Sequence, residues 1–258
     1  GDIFTSLYDL QLLDQLLDAG YRYLANSNSD NLGGAPSAEL AGWFAQSGVS
    51  YAPEVCVRTA ADRKGGHLAK RKSDGQVILR DTAQTPEADM HYFTDEFRHR
   101  FFHTNNLWFN IEALRDLLRA TEGRVGLPLI RNKKNVDPAD KSTPEVYQIE
   151  SASGAIVERF SDSTPIAVPR SRFLPVKTTN DLFLLRSDAY DLTADSRIEL
   201  NRDEAPLIDL DPKYFGLISD FAQRVPAVPS LAQVTSLKVN SDYTFTGTEK
   251  LSGDVELG

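Results

Sequence analysis

The chain has 258 residues, 41% of them hydrophobic and 25% charged, with a formal charge of −9. That apolar share, with a mean hydropathy of −0.35, excludes a disordered tail and is enough to build a sizeable core. An isoelectric point near 5.0 excludes a general nucleic-acid or anionic-membrane surface, which needs long-range positive potential, so any phosphate site is local.

Leu7, Leu10, Leu13, Leu16 and Leu17 recur at helical spacing with Asp9, Asp14 and Asp18 elsewhere on the wheel, which predicts one surface helix stopped at Gly20. Tyr21 to Ala25 reads as a strand entering the polar turn "NSNSDNLGG", followed by a helix from Pro36 to Gln46. Strand, turn and helix in that order form an α/β unit whose strand ends carry ligands. "SYAPEVCVRT" is a second apolar strand, and the lone Cys56 within it reads as a buried thiol suited to a reducing cytoplasm. "HLAKRKSDGQVILR" predicts two strands joined by an Asp-Gly turn; appended to a mostly parallel sheet, this hairpin makes the sheet mixed.

"FFHTNNLWF" is a strand-to-turn passage, and "NIEALRDLLRA" a helix with Ile111, Leu114, Leu117 and Leu118 on one face. "GRVGLPLIRNKKNVDPADKSTP" reads as a solvated loop. After the helix-like "PKYFGLISDFAQRV", β-branched residues alternate with polar ones from about Pro226 to Pro229 onward, as at the start of a solenoidal or sandwich β-domain. No apolar stretch reaches the roughly 18 residues of a membrane helix, and no signal peptide is evident. "GDIFTS" opens without Met and "LSGDVELG" stops inside an alternating pattern, which reads as a piece of a longer chain.

Four stretches carry candidate chemistry. Asn26, Asn28, Asp30 and Asn31 lie between a strand and a helix, where a carboxylate can hold Mg²⁺, or where the same residues merely build an Asx turn and helix cap. Lys64 stands beside Gly65 and Gly66, a pair that admits either a ligand or a bulge. The amides of "HTNNLW" suit sugar hydroxyls and equally suit turns. The histidines 67, 91, 99 and 103 have no metal-ligand spacing, and no GxSxG, P-loop or GxGxxG is present. Most telling is "VPRSRFLPVKTTND", which carries Arg170, Arg172 and Lys177 in a stretch between Asp162 and Asp181 that holds no acidic residue. Two prolines stiffen it, Phe173 and Leu174 can anchor it, and "TTND" reads as a helix start that favours anions. Phosphate binding by Lys177 is one reading; pairing of the arginines with carboxylates is the other.

In order, "SNSDNLG", "ADRKGGHL", "FFHTNNLWFN", "IESASGAIVERF" and "VPRSRFLPVKTTNDLFLL" resemble the eukaryotic-type UDP-glucose pyrophosphorylases, the UTP–glucose-1-phosphate uridylyltransferases. The resemblance covers most of Gly1 to Ser187 and continues more loosely through "SLAQVTSLKVNSDYTFTG". It implies a Rossmann-like nucleotidyltransferase mixed sheet with flanking helices over residues 1–225, then the start of a C-terminal left-handed β-helix over 226–258. It also implies Mg²⁺ as cofactor and UTP, glucose-1-phosphate and UDP-glucose as partners. Carried over residue by residue, Asn28 and Asp30 meet the nucleotide sugar and Asp30 the metal. Gly66 approaches the sugar, Asn105 with Asn106 bonds the glucose hydroxyls, and Lys177 is the phosphate-neutralising catalytic lysine. Asn28, Asp30, Gly66, Asn105 and Lys177 are then expected in one cleft.

The chain also departs from the family pattern. The family's glycine-rich UTP loop, uracil segment and second lysine precede the "GD" that opens this chain, and Asp81 stands where many relatives carry Glu. The resemblance therefore implies a C-terminal part, inactive alone. A UDP-N-acetylhexosamine or broad UDP-sugar pyrophosphorylase, and a non-catalytic sugar-phosphate-binding module, are the alternatives.

Overall fold

The computed structural model describes all residues but 59–61, 63, 64, 83, 84 and 141, and the chain divides into two units: Gly1–Asn28 with Pro36–Arg170, and Ser29–Ala35 with Ser171–Gly258. In the first, α1 (Asp2–Asp9) and α2 (Leu12–Asp18) replace the single helix expected from the leucine spacing. On an unbroken helix Leu7 and Leu13 point about 120° apart. A break at Gln11, whose φ of 50° is left-handed, lets both reach the core and turns Leu10 out to solvent.

The unit continues through β1 (Tyr23–Asn26), α3 (Ala38–Ser47), β2 (Tyr51–Val57), β3 (His67–Lys70), β4 (Val77–Arg80), α4 (Met90–Phe93), β5 (Phe101–Asn110) and α5 (Ile111–Ala120). It ends with β6 (Leu129–Asn135), β7 (Glu145–Ser151) and β8 (Ile166–Ala167). A four-stranded mixed sheet has the order β1-β5-β2-β8, with only β2–β8 parallel. The expected mostly parallel sheet is thus replaced by a largely antiparallel one. The hairpin β3–β4 stands as its own two-stranded sheet rather than an addition to the main one, with Gly75 supplying the positive φ of 74° at its turn.

Period-two alternation along β5 sets the layers. Leu107 and Phe109 join Tyr51 in a core with Phe4, Leu7, Leu13, Ile111, Leu114 and Leu118 of α1, α2 and α5. Trp108 and Ala52 face the other way, onto Phe44 of α3. Cys56 is fully buried as expected, and burial pushes its thiol up to about 11, which leaves it unreactive. Residues 129–135, read as a loop, pair with β7 as an antiparallel hairpin. That hairpin has no buried face, so it leaves no period-two apolar signal. A 2.7 Å Lys133–Glu145 ion pair and the Arg131 guanidinium 4.5 Å from the Tyr147 ring centre accompany its backbone ladder.

The second unit comprises α6 (Thr179–Leu185), β9 (Tyr190–Leu192), β10 (Ile198–Leu200), β11 (Leu207–Leu210), α7 (Pro212–Phe215), α8 (Ile218–Arg224), β12 (Val234–Val239) and β13 (Gly253–Leu257). The strands β11, β12 and β13 are parallel, stacking Ile208 beside Leu237 and Val255, and Leu210 beside Val239 and Leu257. Phe183, Phe215, Phe221 and Phe245 fill the core beneath.

Asn31 ties residues 29–35 into this unit. Its Oδ1 accepts from the N–H groups of Leu174 at 2.8 Å and Gly33 at 3.2 Å, and its Nδ2 donates to the Arg172 carbonyl at 3.1 Å. The side chain is buried, so water cannot replace those bonds. Gly33 fits only because it lacks a side chain: a Cβ there would lie 2.5 Å from the Ser171 carbonyl oxygen. Asn31→Ala should lower unfolding free energy by about 2–4 kcal/mol in urea denaturation. A loss under about 0.5 kcal/mol, typical of an ordinary surface change, would show that the segment is held by other means.

Candidate functional site

Residues 28, 66, 105 and 106 gather in the first unit around an irregularity in β5. Pro53 pairs with Leu107 and Val55 with His103, so Glu54 alone stands opposite Thr104, Asn105 and Asn106. Such a bulge re-aims side chains. Asn105 sits at its apex with φ 62°, a left-handed conformation that Asn tolerates better than most residues. Its Nδ2 donates to Asn28 Oδ1 at 2.7 Å, across 77 positions of sequence, where the chain leaves β1. Gly66 joins them through its carbonyl, which accepts from His103 N–H at 2.8 Å. A Cβ at Gly66 would lie 3.0 Å from Asp81 Oδ2 and 3.2 Å from the Arg80 carbonyl oxygen.

Asn106 lies deeper. It is 2% exposed, accepts from Ser27 Oγ at 2.8 Å and donates to Glu54 Oε2 at 3.0 Å. Both ends of its amide thus bond to protein, whereas Asn28 and Asn105 are more accessible. Sequence reading missed Glu54, whose signal was a single carboxylate inside the apolar strand "YAPEVCV". It also passed over His103. The Nδ1 of His103 accepts the Asn105 N–H at 3.1 Å, which places the ring proton on Nε2, buried and without a partner among the described residues. Burial pushes this imidazole down to about 4. Gly154 closes the site: a Cβ there would lie 2.5 Å from His103 Cε1.

Asp30 and Lys177 belong to the second unit. Val176 N–H donates to the Asp30 carbonyl at 2.8 Å and Leu32 N–H to the Leu174 carbonyl at 2.9 Å, so a short ladder sets Asp30 beside the residue preceding Lys177. The Asp30 Oδ1 is buried and has no hydrogen-bond partner among the described residues. One such oxygen, with no cluster of three or more His, Cys, Asp or Glu among the described residues, fits a Mg²⁺ whose shell is completed by water and phosphate. Lys177 is exposed, while its backbone N–H is bound to Asp181 Oδ2 at 2.9 Å.

The helix start expected after Lys177 is present, but it is not an open anion site. Thr178 and Asp181 form a capping box, and the Asp181 carboxylate already accepts from the Lys177 and Thr178 N–H groups. Arg170 follows the ion-pair reading: its guanidinium holds Asp62 at 2.6 and 3.1 Å in a two-pronged contact and lies 5.2 Å from the Phe102 ring centre. Arg172 Nη1 donates to the Ala35 carbonyl. Lys64 lies outside the described residues.

The family model for UTP–glucose-1-phosphate uridylyltransferase matches residues 1–251. The chain belongs to that family. It is 37% identical over 261 residues to the UTP–glucose-1-phosphate uridylyltransferase of Musa acuminata, covering 100% of this chain and 54% of that protein. Against the Saccharomyces cerevisiae enzyme of the same name it is 36% identical, with 100% and 50% covered. A point mutant of the UDP-glucose pyrophosphorylase of Leishmania major, solved in complex with UDP-glucose, superposes with a TM-score of 0.85 at 39% identity, over 99% of this chain and 56% of that one. The Trypanosoma brucei structure gives 0.84 at 40%, with the same coverage. The chain spans about half the length of the curated relatives it matches. Among the described residues, no helix is long and apolar enough to cross a membrane.

In this uridylyltransferase-family chain His103 couples the amide cluster to pH. Its folded value lies below the ordinary 6.5, so the unfolded chain binds the extra proton first. Stability is therefore full above about 6.5 and falls as pH drops toward 4, as the incoming proton takes the Nδ1 lone pair that holds Asn105. His67, held near 3 by burial and by His99, Arg58 and Arg80, acts in the same direction. Urea unfolding at about pH 7 and about pH 4.5, on either side of most of that fall, should show a smaller acid loss in His103→Gln than in the parent. An equal loss would place the acid sensitivity elsewhere.

Proposed function

We propose that the protein transfers a uridylyl group, joining UTP and glucose-1-phosphate to give UDP-glucose and pyrophosphate. The observation that carries this is the Asn28–Asn105 amide pair, raised on the bulge at accessible positions in a chain of this family. Asn28 and Asn105 offer donors and acceptors to sugar hydroxyls, the backbone at Gly66 approaches the sugar, and Asn106 supports the two amides from below. In the second unit Asp30 would hold Mg²⁺, which when bound neutralises charge on the phosphates. A phosphate oxygen of the sugar attacks the α-phosphorus of UTP and pyrophosphate leaves. The Lys177 ammonium stabilises charge that grows on the α-phosphate, so catalysis is positioning and electrostatics without a covalent enzyme intermediate.

The same reading extends to architecture. Residues 1–225 belong to a Rossmann-like nucleotidyltransferase domain, and residues 226–258 begin a left-handed β-helix. The parallel pairing of β12 with β13, which stacks Leu237 beside Val255 and Val239 beside Leu257, supports the second part, because such aliphatic ladders line the interior of β-helical coils.

Lys177→Ala in the full-length protein should lower kcat by about two to three orders of magnitude, with a smaller effect on KM. Arg170→Ala should leave kcat within about threefold and lower Tm by about 2–6 °C, through loss of the Asp62 contact. Steady-state kinetics and thermal melts on both variants check the split. A Lys177 variant with parental kcat would remove the lysine from the chemistry. A parent without pyrophosphate release from UTP and glucose-1-phosphate would refute the activity.

A further inference from the structure

Glu54 is a carboxylate with no exposed surface, in a strand otherwise made of apolar residues. Burying a carboxylate is strongly unfavourable unless donors surround it. Here Trp108 Nε1 donates to Oε1 at 2.8 Å and Asn106 Nδ2 to Oε2 at 3.0 Å. The backbone carbonyl of the same residue accepts from Thr104 Oγ1 at 2.9 Å, and Thr104 Oγ1 in turn accepts the Asn106 N–H at 3.2 Å. Glu54 thus bonds to the residues on both sides of Asn105, and Asn106 passes the constraint to Ser27 beside Asn28.

We propose that Glu54 is a positioning residue for sugar recognition: its buried carboxylate fixes the β5 bulge and thereby the aim of the Asn28–Asn105 amide pair. The proposal rests on the sugar-binding role given to that pair above. It also makes a separate structural claim about how the pair is held. Glu54 itself touches no substrate. Glu54→Gln keeps the size of the side chain but turns one acceptor into a donor that faces another donor, at Asn106 or Trp108. Asn106→Asp likewise sets two carboxylates against each other. Combined, the two changes exchange donor and acceptor. The new amide at position 54 donates to the new carboxylate at position 106 and still accepts from Trp108, while that carboxylate still accepts from Ser27. One negative charge stays buried in the double variant, as in the parent.

The test uses the parent, both single variants and the double variant. In the full-length protein Glu54→Gln should lower kcat/KM for glucose-1-phosphate by about 30- to 100-fold, the scale of a substrate held off its productive geometry. KM for UTP should stay within about twofold, and discrimination against galactose-1-phosphate should shrink. The double variant should return kcat/KM to within about fivefold of the parent, since the coupled pair is restored. Side-chain amide NMR resonances of Asn28 and Asn105 should move in each single variant and return in the double, which reads positioning without any activity. A double variant no better than the product of the singles, or Asn28 and Asn105 resonances unmoved by Glu54→Gln, would overturn the proposal. Moved and restored resonances in a protein with no uridylyltransfer would instead uphold the positioning claim and refute the proposed reaction.

Discussion

The contact between the Glu54 carboxylate and the N–H groups of Asn106 and Trp108 is the constraint from which the first unit's site follows. Without a buried acceptor at this point, β5 has no reason to depart from regular pairing with β2, and Asn105 no reason to enter the left-handed region. With it, one strand does two jobs. Beyond the bulge, Leu107, Trp108 and Phe109 alternate into two apolar layers, and within it Asn105 is turned toward Asn28. The desolvation of one carboxylate is offset by a network whose outer members are more accessible than its inner ones.

The second unit uses a neutral side chain for the same purpose. Asn31 bonds to backbone groups of residues 33, 172 and 174, so the segment that carries Asp30 is registered against the one that leads to Lys177. Asp181 then occupies the start of α6, and with it the place a free helix end would offer to an anion. The cationic character of this loop is therefore divided: Arg170 is bound to Asp62, Arg172 braces the Ala35 carbonyl, and Lys177 is exposed.

Much of this was legible in the sequence, for reasons that differ by element. The α5 face and the β3–β4 turn follow from local pattern, because amphipathic spacing and the Asp-Gly pair act within a few residues. The candidate site positions rest on the family resemblance of long ordered strings, since "HTNNLW" by its composition is equally a turn. Other features were hidden because their causes are tertiary. The break at Gln11 depends on two leucines sharing a core, and the β6–β7 hairpin shows no apolar period because it has no buried face. Glu54 was legible as an anomaly in an apolar strand, but its partners lie 52 and 54 positions away. No local rule joins them.

The central claim is that the Asn28–Asn105 pair meets a hexose. The most direct measurement is a crystal structure of the full-length protein with UDP-glucose bound. The account predicts glucose hydroxyls within hydrogen-bond distance, about 2.7–3.2 Å, of the side chains of both Asn28 and Asn105, with the bulge unchanged. A hexose seated elsewhere, with neither amide bonded to it, would contradict it.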